Sequence, residues 1–204
     1  MAEAKPWWVY LLDFLAGLLA KEQARAAGAT PGQMKDFQVF MTPLGSGYST
    51  EAERETNRAK LKSACDAAVL DPSLAPQGET THCSQAASQI ARAMGYYQLD
   101  GLLADGQIVA MGSAAGWREE TGPDKFQRAS DHAQAGGIAF AAAYGLPHGH
   151  IAAIYPASLE PSGTWGVEVP IVANVGEHNG VMRLSQAFRL SQRPALRIFL
   201  WGQV

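Results

Sequence analysis

The segment "THCSQAASQIARAMGY", residues 81–96, predicts a buried helix with a cysteine at its start. Gly95 ends the helical pattern, and Cys83 falls in the first turn, directly after a polar loop. There the unpaired N–H groups and the dipole of the helix favour the thiolate, which is the reactive form of cysteine. Cys83 is therefore a candidate nucleophile, with an inert buried thiol as the alternative. The apolar and small residues at helical spacing are Ala86, Ala87, Ile90, Ala91 and Met94.

The composition predicts one folded domain of ordinary size. The chain has 204 residues, of which 47% are hydrophobic and 17% charged, so it can bury a substantial core. Its formal net charge is −3 and its Lys and Arg residues are scattered, which argues against a nucleic-acid partner and gives no polybasic membrane-binding run. The two cysteines, Cys65 and Cys83, form neither a disulfide framework nor a Cys-x-x-Cys pair.

The N-terminal segment "PWWVYLLDFLAGLLA", residues 6–20, is strongly apolar. It is shorter than the roughly 20 residues that span a bilayer, and Asp13 lies in its middle, so we expect no membrane span. Glu3 and Lys5 cancel where a signal peptide needs a basic region, so we expect no signal peptide. We expect a helix over about residues 7–27 that packs on the domain, or contacts a partner or a membrane.

Helices precede strands along the rest of the chain. Residues 51–70 predict an exposed amphipathic helix capped by Ser49 or Thr50, and residues 124–135 predict another helix. Later apolar runs, punctuated by Gly, Pro and Asn, predict an antiparallel sheet: "IAFAAAY", "GHIAAIY", "VEVPIVANV", "VMRLSQAF" and "LRIFLW". This order predicts an α+β domain. We assign residues 1–70 to a helical N-terminal region that packs on the core, and residues 71–204 to the core.

A second candidate residue, His150, begins the predicted strand "HIAAIY". Gly149 precedes it and lets the backbone approach a neighbour closely. Strand alternation places His150, Ala152 and Ile154 on one face. If that face lies under the start of the Cys83 helix, the imidazole meets the thiol, which is what activation of a cysteine nucleophile requires.

A third group must orient the imidazole ring. Asn174 is the only polar side chain in the apolar run "PIVANV", where its amide is costly to bury without a hydrogen bond. We expect its carbonyl oxygen to accept a ring N–H of His150. Glu168 in "WGVEVP" is the competitor for this role, although its charge favours a position facing water at the end of the hairpin.

Three segments, "THCSQAASQIARAMG", "GHIAAIYP" and "PIVANVG", together resemble the cysteine amidases and peptidases of the NlpC/P60 and CHAP groups. These bacterial and phage enzymes cut the peptide parts of peptidoglycan. In the family a cysteine at a helix N-terminus is followed by a Gly-His pair that opens a strand, and then by a polar residue on the next strand. The matching residues here are Cys83, His150 and Asn174. The resemblance covers residues 81–174 and implies a papain-like core, with the cysteine helix packed on an antiparallel sheet.

The resemblance implies a cysteine hydrolase that needs no cofactor. Cys83 would attack an amide carbonyl of a peptidoglycan peptide, His150 would transfer the proton, and Asn174 would orient the ring. The site of action would be the cell wall or periplasm, reached by a phage lysin or by an antibacterial effector. An effector would have a cognate immunity protein as a partner. The same residues could also carry out acyl transfer.

The histidines allow a different interpretation of the chain. His148 and His150 are two residues apart on the predicted strand, so both rings point the same way and could bind a metal. No third ligand is close in sequence, because Glu160 lies past a predicted turn and His178 in a separate loop. The alternative function is a non-catalytic metal- or carbohydrate-binding β-domain.

Overall fold

The computed structural model describes residues 50–78, 80–145 and 149–202. These residues fall within one compact unit, residues 48–204. The N-terminal helix expected over residues 7–27 and the possible metal ligand His148 lie outside the described residues. In the described part of the chain, no helix is both long enough and apolar enough to cross a membrane.

The first described helix, α1, spans Glu51–Leu70 as the sequence predicts. The Thr50 hydroxyl accepts a hydrogen bond from the Glu53 backbone N–H at 3.3 Å, and the Glu53 carboxylate accepts one from the Thr50 N–H at 2.7 Å. This reciprocal capping box satisfies two N–H groups that the helix itself leaves unpaired. Cys65 on the inner face is fully buried, and burial raises its pKa to about 12, so its thiol is inert.

Three further helices precede the central strands. α2 spans Cys83–Ala93, α3 spans Ala104–Ser113 and α4 spans Lys125–Gln134. Four of the five positions predicted to face the core are buried in α2, whereas Met94 follows the helix and is half-buried. The chain turns at Gly95, whose φ is +94°. The segment that becomes α3 reads as two short helical turns in sequence but forms one continuous ten-residue helix.

Six strands form one antiparallel sheet in the order β1-β8-β2-β3-β6-β7. β4 and β5 pair with each other in a separate two-stranded sheet. The predicted α+β class is therefore confirmed. The strand bounds are Trp117–Glu120 (β1), Ile138–Ala143 (β2), His150–Ile154 (β3), Glu160–Ser162 (β4), Val167–Val169 (β5), Ile171–Asn174 (β6), Gly180–Arg183 (β7) and Arg197–Trp201 (β8).

Two features of the sheet differ from the sequence expectation. β1 was not expected, because "WREE" has no apolar alternation, yet it pairs along its length with β8. The run "VMRLSQAF" divides between β7 and a short helix α5, Leu184–Ala187. Both differences come from long-range pairing, which local periodicity does not record.

The core lies where the helices cover the middle of the sheet. All six residues of β2 are buried, so both of its faces are covered. α2 packs against β3, and α1 packs against α2 and β6. This arrangement brings the first turn of α2 to the end of the sheet where β3 begins.

The turn after α4 packs closely against α1 at a glycine. Gly136 follows α4 with a φ of +87°, and a Cβ there would lie 2.6 Å from the Cβ of Asn57 and 2.8 Å from the carbonyl oxygen of Arg54. An added side chain would therefore meet both backbone strain and the body of α1.

We expect Gly136→Ala to lower the free energy of unfolding by about 2 to 5 kcal/mol, measured by urea denaturation. Left-handed backbone with a side chain costs about 1 to 2 kcal/mol, and overpacking adds about 1 to 3 kcal/mol. The matched control is Gly101→Ala, with a φ of +74° and open space around its Cβ, which should show the backbone cost alone. Equal losses for the two variants would show that the contact with α1 is unimportant.

Candidate active site

Cys83 is the first residue of α2, and its side chain is buried. Backbone N–H groups of Ile151, Ser84 and Cys83 itself act on the thiol, and each lowers its pKa. Two of these N–H groups belong to the open first turn of the helix, as the sequence predicts. The third belongs to the residue directly after His150. The thiol therefore lies against the start of β3.

Burial has the largest effect on the pKa of the Cys83 thiol, and it raises this pKa. It raises the pKa of Cys83 above the ordinary value of 9.0, and the negative charge of Asp105 raises it further, against the effect of the N–H groups. The expectation that the helix start favours the thiolate thus describes only part of the balance. In the resting protein at neutral pH Cys83 is a thiol.

His150 and Asn174 form a direct hydrogen bond. The Nε2 of His150 lies 2.7 Å from the Oδ1 of Asn174, and the Asn174 amide nitrogen donates to the carbonyl oxygen of His178 at 2.6 Å. The second bond fixes the amide so that its oxygen faces the ring, and Nε2–H is therefore the donor. This selects the tautomer in which Nδ1 carries the lone pair and can accept a proton.

The strand register explains why these two side chains meet. β3 and β6 pair as Ala153 with Ala173, so Asn174 lies opposite Ala152 and shares the face of His150. The ring of Phe188 covers the imidazole, with 4.8 Å between ring centroids. Burial lowers the pKa of His150 below 6.5, while the hydrogen bond to Asn174 partly offsets this. The imidazole is therefore neutral at pH 7.

Glu168 lies elsewhere in the structure. It is an exposed residue of β5, in the separate two-stranded sheet, where it pairs with Pro161. The structure thus joins Asn174, and not Glu168, to the imidazole of His150.

Asp105 is a residue of the site that sequence reasoning missed. It lies in the first turn of α3, and Gln107 fixes this helix to α2 by donating to the carbonyl oxygen of Ser84 at 2.9 Å. The Asp105 carboxylate lies beside Gly149, where any Cβ would collide with its Oδ1. Gly149 was expected to allow a close approach, but nothing local in the sequence identifies Asp105 as the neighbour.

The described residues offer no cluster for a metal. Nowhere in residues 50–78, 80–145 and 149–202 do three or more His, Cys, Asp or Glu side chains group so that they could hold an ion. His178 contributes its backbone carbonyl to Asn174. His148, which the metal-binding alternative pairs with His150, lies outside these ranges.

The arrangement can therefore supply a nucleophile, a proton acceptor and an amide that orients the acceptor. Cys83 comes from the start of α2, His150 from the start of β3 and Asn174 from the end of β6. Such a grouping suits attack on a carbonyl carbon followed by proton delivery to a leaving amine. No family model matches the chain, and no curated protein matches it.

Proposed function

We propose that the protein is a cysteine amidase or endopeptidase that hydrolyses amide bonds in peptidoglycan peptides. The observation that carries the proposal is the His150–Asn174 hydrogen bond, formed at the strand end against which the Cys83 thiol lies. It leaves a neutral imidazole with a free Nδ1, which is the state that a general base needs. The peptidoglycan substrate follows from the resemblance of the three segments to the NlpC/P60 and CHAP enzymes.

In the proposed first step, Nδ1 of His150 takes the thiol proton while the sulfur of Cys83 attacks the amide carbonyl carbon. The imidazolium then gives this proton to the leaving amine as the C–N bond breaks, which leaves a thioester on Cys83. A water molecule then attacks the thioester carbonyl carbon while it gives a proton to the same imidazole. The C–S bond breaks, the acid product leaves, and the imidazolium returns its proton to the sulfur of Cys83. Asn174 keeps the ring oriented and stabilises its charged form throughout.

The start of α2 provides donors for the oxyanion. The N–H groups of Cys83 and Ser84 lower the pKa of the thiol, and in the proposed mechanism they donate hydrogen bonds to the oxyanion of the attacked carbonyl. Hydrogen bonds to the developing negative charge are strong in a buried site and stabilise the tetrahedral intermediate. If an amine replaces water in the last step, the same thioester yields acyl transfer.

The first test is incubation of the protein with purified peptidoglycan, followed by mass spectrometry of the released fragments. We expect fragments cut at an amide bond, and we expect Cys83→Ala to abolish their release because the nucleophile is lost. Cys65→Ala, which removes the other thiol, should retain most of the activity if the protein remains folded. Digestion by Cys83→Ala at the wild-type rate would end the assignment, and ligated products would identify acyl transfer.

The second prediction concerns the proton relay. His150→Ala should lower turnover by about 100- to 10,000-fold, which is the usual contribution of a general acid–base group. Asn174→Ala should lower turnover by less, because the ring can still reach the thiol in some orientations. Glu168→Ala is the surface control and should change turnover little. Steady-state kinetics on one released fragment measures all three, and a larger loss for Glu168→Ala than for Asn174→Ala would contradict the assignment.

The third prediction is that the pH profile of kcat/KM is bell-shaped. The acid limb should lie below pH 6.5, because burial lowers the pKa of His150 and only the neutral ring accepts a proton. The alkaline limb should lie above 9.0, because burial raises the pKa of the Cys83 thiol, whose proton the leaving amine requires. Both limbs belong to the coupled pair. A rate that climbs steadily to about pH 10 would indicate a thiol that His150 does not assist.

A further inference from the structure

The carboxylate of Asp105 has an unused hydrogen-bond acceptor. Its Oδ1 is buried and has no hydrogen-bond partner among the described residues. The side chain also forms no ion pair with any Lys or Arg in the described ranges. A buried carboxylate oxygen without a donor costs free energy, which a bound group that supplies the donor would recover.

Asp105 lies beside the reacting groups. Its Oδ1 fills the space that a side chain at residue 149 would occupy, directly before His150, and its charge acts on the thiol of Cys83. Asp105 as a residue is half-buried, so its side chain is only partly enclosed although its Oδ1 is buried.

We propose that Asp105 is a specificity-determining residue whose carboxylate, which lacks a protein cation as partner among the described residues, binds a cationic group of the substrate beside Cys83. The ligand is an ammonium, on an amino-acid side chain or at a free amino terminus, next to the scissile amide. A metal ion is a poorer fit, because no group of three metal-binding side chains is found in the described structure. The nature of the substrate as a peptide rests on the proposed function, whereas the preference for positive charge rests on Asp105 alone.

Binding of the ammonium also changes the nucleophile. Without a ligand, the charge of Asp105 disfavours the thiolate of Cys83. A bound cation offsets this charge, so the thiol loses its proton more readily once the correct substrate is in place. Substrate selection and activation of the thiol are thus coupled through one carboxylate.

The experiment measures alkylation of Cys83 in the full chain at pH 7 by three small reagents of different charge: 2-bromoethylammonium, iodoacetamide and iodoacetate. Mass spectrometry of the Cys83 peptide gives each rate, and the ratio of variant to wild type cancels the different leaving groups. In Asp105→Asn the preference for the cationic over the anionic reagent should fall about tenfold or more. The rate with neutral iodoacetamide should rise, because the thiolate becomes more populated.

Asp124→Asn, which makes the same change of net charge at an exposed residue, is the control and should leave the preference unchanged. Asp105→Ser is measured in parallel, so that the result does not depend on one variant. An unchanged preference in both Asp105 variants would overturn the proposal even if the protein digests peptidoglycan. If the preference falls as expected but peptidoglycan is not digested, the cation site stands and the proposed function fails.

A substrate comparison completes the test. For a fragment identified as a substrate, the wild type should cleave the form with a free amine faster than the acetylated form, and Asp105→Asn should lose most of that difference. Equal cleavage of the two forms by the wild type would contradict an ammonium ligand at Asp105.

Discussion

Packing between α2 and the sheet places the Cys83 thiol against the start of β3. The buried positions of α2 include Ala86, Ala87 and Ala91, and the facing strand β3 contributes Ala152 and Ala153. Small side chains on both surfaces allow the helix backbone to approach the sheet closely. Because α2 packs against β3, N–H groups of the first turn of α2 and the N–H of Ile151 in β3 act on the same sulfur atom.

Burial leaves both the Cys83 thiol and the His150 imidazole without charge at neutral pH. The same removal from water raises the pKa of the Cys83 thiol and lowers the pKa of the His150 imidazole. Thiol and imidazole are therefore both neutral at rest, and in the proposed mechanism charge separation accompanies binding of the substrate. The hydrogen bond that the His150 ring donates to Asn174 acts against burial on the pKa of His150, since it favours the protonated ring.

Local signals in the sequence predict the elements that carry the site better than they predict its surroundings. The bounds of α1 and its Thr50 cap follow from a capping sequence, and the start of α2 follows from the polar loop before Cys83. Alternation on β3 and the lone polar residue of β6 predict the contact between His150 and Asn174. The catalytic roles of these residues remain a proposal.

The features that sequence reasoning missed depend on contacts between distant segments. The polar residues of β1 are stabilised by partners far along the chain, as when Arg197 of β8 pairs with Glu119. In α3, Gly106 and Gly112 lower the helix propensity of the sequence. Tertiary contacts, such as the hydrogen bonds of the Gln107 side-chain amide, stabilise the helix despite this low propensity. The position of Asp105 follows from the same docking of α3.

The strand order affects how the sheet folds during synthesis. β8 follows every other described strand in the sequence, yet it lies between β1 and β2 inside the sheet. During synthesis β1 and β2 emerge long before the strand that separates them, and β2 has only β3 as a neighbour until then. The nascent chain therefore exposes an apolar edge of β2, which is a site for chaperone binding or for aggregation. Completion of the sheet, and burial of the core around it, waits for the last strand to be inserted.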